Sequence, residues 1–180
     1  MKIFNDRGVA RCITAVVICV SFLGGGAKTL NRMGAEASGM FYDGVNGDGM
    51  GIQRELDHRV NFTQNMVTVA NRYIRDDAAA TKAEAACSDL IKAETIKLKS
   101  EANRNLTDAA AGLYDRLGRE TLSDNDARLR ESLFTEIKAR NARISNDEYN
   151  KNAREFNQKL HIFPASVIRV LRLTPELPIF

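Results

Sequence analysis

Few residues in this chain combine type and spacing in a way that chemistry could use. A glycine-rich run, Asp43-Gly44-Val45-Asn46-Gly47-Asp48-Gly49-Met50-Gly51, comes closest to a metal site. If Gly44 opens a calcium loop, then Asn46, Asp48, Gly49 and Glu55 fall at its third, fifth, sixth and twelfth positions. The first position requires a carboxylate, and Asp43 stands one place out of register, so a hinge between helices is the plainer expectation. His58 and His161 have no second ligand one helical turn away and no nearby cysteine, which leaves metal and acid–base roles unsupported. Glu36, Glu55, Glu94, Glu101 and Asp115 lie on charged amphipathic segments, where carboxylates ordinarily form solvated faces. No serine sits in a nucleophile elbow, and Gly47-x-Gly49-x-Gly51 lacks the preceding strand and spacing of a phosphate loop. The expectation is a protein with no catalytic residues, no metal and no cofactor. Cys12 and Cys19 lie in an apolar run and Cys87 in an alanine-rich helix, so no disulfide framework is expected.

Asparagines offer a different kind of site. Asn61 and Asn65 share one predicted helix, and Asn146, Asn150 and Asn157 another. Buried asparagines can hydrogen-bond across a helix pair and fix its register, as a polar seam residue does in coiled coils. The alternative is a polar groove for a peptide or small ligand. Around Asn150 and Asn157 runs a cadence of Tyr149-Asn150, Phe156-Asn157 and Phe163-Pro164, with aromatics seven residues apart and Ala153 and Leu160 between them. Positions 149, 153, 156, 160 and 163 then form one apolar seam on a helix that the proline ends.

The elements that must hold these residues read as helical. The chain has 180 residues, only 3 prolines, no tryptophan and 44% hydrophobic residues, enough for one domain with a core. Its net charge of +3 is spread over interspersed acids and bases, which argues against a nucleic-acid partner. Ile52, Leu56, Val60, Thr63, Val67, Ala70 and Ile74 make one stripe, broken at Arg75-Asp76-Asp77 with Asp77 as the next N-cap. Ala79, Ala83, Ala86, Leu90 and Ala93 make a second, running on with a kink or restart at Thr107-Asp108 through Leu113 and Leu117 to a stop at Gly118. Ser123 caps the third, which uses Leu129, Leu133, Ile137 and Ile144 and shifts phase at Ser145-Asn146-Asp147 before the aromatic seam. The fold expected is all-α: an antiparallel, up-and-down bundle of three long helices, the first and last parallel, with an N-terminal hydrophobic helix. Residues after Phe163 are expected to fold back as a short capping helix. The rival is an exposed membrane- or partner-binding segment flanked by Arg169 and Arg172.

At the N-terminus, Lys2, Arg7 and Arg11 precede an apolar run from Cys12 to Leu23, followed by Gly24-Gly25-Gly26-Ala27. Two readings stay open: a signal peptide cleaved after Ala27, or an uncleaved anchor from Gly8 to Ala27. The charge difference across the run favours a cytoplasmic N-terminus and an extracytoplasmic body. The chain divides on this reading into residues 1–27 (signal peptide or anchor), 28–51 (short helix and glycine-rich linker) and 52–180 (helical bundle).

The run from Tyr149 to Asn157, with Phe163-Pro164 and the final Pro178-Ile179-Phe180, resembles the C-terminal signature of the LemA family. In the first long helix, Arg59 to Val67 resembles that family's Arg-x-Asp-Leu-Ile-Pro-Asn-Leu-Val stretch, with Arg59, Asn65 and Val67 matching and Gln64 replacing the proline. Glu120-Thr121-Leu122-Ser123 stands where the family has a Glu-Tyr-Pro-x-Leu stretch. The resemblance implies a divergent, membrane-associated long-helix protein with an N-terminal segment in the membrane, and it supplies no reaction. The function expected is a scaffold or interaction module with an unidentified protein partner. The alternative is a soluble exported binding protein that uses a polar inter-helix groove.

Overall fold

A computed structural model describes residues 7–163, 165–171 and 174–180; Pro164 of the aromatic cadence and Arg172 lie outside them. The described residues form seven α-helices and no strand: α1 (Arg7–Asp43), α2 (Ile52–Tyr73), α3 (Ala78–Lys92), α4 (Ile96–Leu117), α5 (Asp124–Ser145), α6 (Glu148–Leu160) and α7 (Ala165–Val170). Two compact units result, one from Met1–Ala37 with Ala153–Leu177, the other from Ser38–Asn152 with Pro178–Phe180. Helices α1 and α6 each contribute residues to both.

The larger unit is the helical bundle. All seven residues of the α2 stripe, from Ile52 to Ile74, are buried, as period-3.6 spacing demands. Ala83, Ala86 and Leu90 of α3 face Leu106, Ala109, Ala110, Leu113 and Leu117 of α4 in the same core, where small side chains let the helix axes approach. Asp77 caps α3 by accepting from the Ala79 N–H at 2.8 Å, and Ser123 caps α5 by accepting from Asp126 at 3.2 Å.

The second long helix is two helices. Its break falls at 93–95, where the Thr95 hydroxyl accepts from the Leu98 N–H at 3.2 Å and starts α4; Thr107-Asp108 lies inside continuous helix. The extra reversal alters the pairing. Arg72, at the end of α2, is ion-paired to Asp126 at the start of α5 at 2.7 Å, and Glu55 near the start of α2 meets Arg140 near the end of α5 at 3.2 Å. Opposite ends of α2 and α5 therefore meet, contrary to the expected parallel arrangement.

The phase shift at Ser145-Asn146-Asp147 is a break between α5 and α6. Two residues leave the expected stripes: Leu129 is 41% exposed, and Phe163, beyond the end of α6, is 78% exposed. The glycine-rich run is a sharp turn from α1 into α2. Gly44 has φ +75°, a β-carbon there would run into Asp48 Oδ1, and one on Gly51 would sit 2.5 Å from the Phe41 carbonyl oxygen. Among the described residues no cluster of ligating side chains could hold a metal.

In the smaller unit, Leu30 of α1, Phe156 and Leu160 of α6 and Ile168 of α7 form the core. Gly34 lets α1 approach Phe156 closely, since a β-carbon there would lie 3.3 Å from the ring. Helix α1 runs unbroken through Gly24-Gly25-Gly26. No helix among the described residues is long and apolar enough to cross a membrane.

Candidate functional site

The asparagines separate into two groups. Asn61, Asn65 and Asn146 are exposed, and Asn146 turns back on its own helix to donate to the Ala142 carbonyl at 2.9 Å. These three do not form a buried inter-helix seam, because the bundle puts them on its solvent face. Asn150 and Asn157 each bind the backbone of the last residues of the sequence.

In the bundle unit, Asn150 has no exposed surface. Its Nδ2 donates to the Ile144 carbonyl at 2.6 Å, and its Oδ1 accepts from the Phe180 N–H at 2.8 Å. The neighbouring Tyr149 hydroxyl donates to the Pro178 carbonyl at 2.8 Å, and the Ser100 hydroxyl of α4 donates to the Ile179 carbonyl at 3.1 Å. Three successive residues of a non-helical segment are thus held through their main chain by side chains from α4 and α6. The Phe180 ring rests 5.3 Å from Phe41 and 6.2 Å from Tyr149, centroid to centroid. Burial pushes the Tyr149 phenol well above its ordinary range, so it stays protonated and remains a donor.

In the smaller unit, Asn157 treats Leu177 as a neighbouring strand would, donating to its carbonyl and accepting from its N–H, both at 2.8 Å. Glu176 pairs with His161 and Arg169, each at 3.1 Å, and Thr174 donates to Asn31 Oδ1 at 2.7 Å.

Other residues singled out by sequence take structural places. Val67 and Phe156 are buried core, and His58 is stacked on Phe62. Cys87 is buried against the Val60 carbonyl, and burial, with the nearby Glu84, pushes its thiol up to about 11. Arg59 is the exception: it is the largest side chain with no exposed surface. It donates through Nη1 to Asn103 Oδ1 and through Nη2 to the Thr107 hydroxyl at 2.8 Å. Both partners are neutral, and burial lowers the guanidinium to about 10.

Sequence reasoning missed Phe41, Ser100, Asn103 and Thr107. The signal for the last three was present in α4 as polar residues at helical spacing on the face that also carries Leu106 and Leu113. The geometry describes an all-α bundle protein built around a held peptide segment and a buried cation. The chain matches no family model, no curated protein and no solved structure.

Proposed function

We propose that this chain is a non-catalytic interaction module that recognises extended peptide through its main chain. The observation that carries the reading is the cradle of Tyr149, Asn150 and Ser100, which satisfies Pro178, Ile179 and Phe180 without any backbone–backbone ladder. Main-chain hydrogen bonds supply affinity in such a site, while the apolar wall at Phe41 selects an aromatic side chain. Residues 178–180 are its resident occupant, and a partner segment of similar character would compete for the same place. The bundle around it is read as an antiparallel, up-and-down arrangement of α2 to α5, supported by Arg72–Asp126, Arg116–Asp77 and Arg140–Glu55 pairing.

A chain ending at Leu177 tests the reading directly. With its helical circular dichroism intact, it should bind a synthetic Leu-Pro-Ile-Phe peptide in saturable fashion. Binding should weaken by about tenfold in Asn150→Ala, given about 1–3 kcal/mol for a buried donor or acceptor left unpaired. A folded, truncated chain that ignores the peptide would sink the proposal.

A second reading, membrane association through residues 8–27 of a divergent LemA-like chain, rests on exposed apolar residues within the smaller unit. Ile13, Val16 and Val17 of α1 are exposed there, as are Ile162, Phe163, Val170 and Leu171. Fractionation with alkaline carbonate and then detergent separates the outcomes. Recovery of the full chain entirely in the supernatant before either treatment would count against attachment.

A further inference from the structure

Arg59 raises a question that the peptide cradle does not answer. A guanidinium with no exposed surface normally meets a carboxylate, because neutral partners recover only part of the lost hydration. Among the described residues no carboxylate pairs with it; Glu55, one turn earlier, is committed to Arg140 and Arg143. Its Nε is buried and has no protein acceptor.

The same side chain lines a cavity of about 320 Å³ in the bundle unit, between α2, α4 and α5. Phe134, Ile137 and Ala111 give the cavity an apolar wall, while Lys138 and Asn141 of α5 add a second cation and an amide. Positive charge, an arginine nitrogen without an acceptor and an apolar wall therefore border one partly open cavity. That combination fits a molecule with an acidic group at one end and an apolar body at the other.

We propose that this cavity binds a small organic anion, whose carboxylate or phosphate oxygens pair with the Arg59 guanidinium while its body lies against Phe134 and Ile137. Such a ligand supplies the counter-charge that the fold leaves out. Thr107 also donates to the Asn103 carbonyl at 2.9 Å, a hydrogen bond within α4 that does not depend on Arg59.

The test is calorimetric titration of the full chain with sodium benzoate, phenyl phosphate and uncharged benzyl alcohol. Benzoate or phenyl phosphate should bind saturably, and whichever is tighter identifies the acid group; benzyl alcohol should not bind. Affinity for the anion should fall by about tenfold or more in Arg59→Met, which keeps length but loses charge. Ala111→Leu, which fills the cavity and leaves the arginine in the sequence, should reduce it similarly, both variants being checked for native circular dichroism. If neither anion binds the unaltered chain, if benzyl alcohol binds as tightly, or if folded Arg59→Met keeps its affinity, the proposal is overturned.

Discussion

Asp126 receives hydrogen bonds from two side chains of α2, Arg72 at 2.7 Å and Tyr73 at 2.6 Å, while Ser123 caps its own N–H. The Tyr73 hydrogen bond, with Arg72, holds its carboxyl below the usual range. A depressed folded pKa means that the stabilisation is present above the unfolded value, about 3.9, and is lost as pH falls through the lower folded one. Asp147 has the opposite character, since desolvation raises its carboxyl. Acidification therefore relieves a cost at Asp147 while it removes a gain at Asp126. In urea titrations from neutral pH to below 4, Asp126→Asn should lose less stability than the unaltered chain, and Asp147→Asn should lose more. Parallel curves for all three would refute the assignment.

At the scale of elements, the turn between α1 and α2 is the most constrained joint. Gly44→Ala forces a positive φ on a β-carbon that also meets Asp48, whose Oδ1 accepts from the Met50 N–H at 2.8 Å. The change should cost about 1–3 kcal/mol in denaturant unfolding, against about 1 kcal/mol for the loss of a cap in Ser123→Ala. Equal costs would mean that the turn yields more easily than its geometry implies. Much of this level was legible in the sequence: the α2 stripe, the caps Asp77 and Ser123, the stop at Gly118 and the break near Asn146. Each depends on local spacing or capping chemistry. The division at 93–95 was missed because Ala93 continues the α3 stripe and Thr95 does not advertise itself as a cap within an alanine-rich run. The role of Asn150 was illegible for another reason: its partner Phe180 is 30 residues away, and no local rule joins them. The same holds for Arg59 and Asn103, separated by 44 residues.

For the whole molecule, the two units differ in how completely they close over their apolar side chains. Leu106, Leu113 and Leu117 have no exposed surface in the bundle, whereas the smaller unit leaves Phe163 78% exposed. Leu106→Ala should therefore cost about 2–5 kcal/mol of stability, while Phe163→Ser should change it by no more than about 0.5 kcal/mol. Thermal or urea unfolding of the two variants checks the contrast, and a large cost at Phe163 would mean that it belongs to the aromatic seam after all. Cys87 adds a kinetic consequence. Its thiol lies under the α2–α3 contact against the Val60 carbonyl, protonated and shielded from reagents. An alkylating probe can reach it only while those helices part. The rate of modification at Cys87, followed site by site in the native protein, is thus a clock for the breathing of the bundle, with no foreign residue introduced.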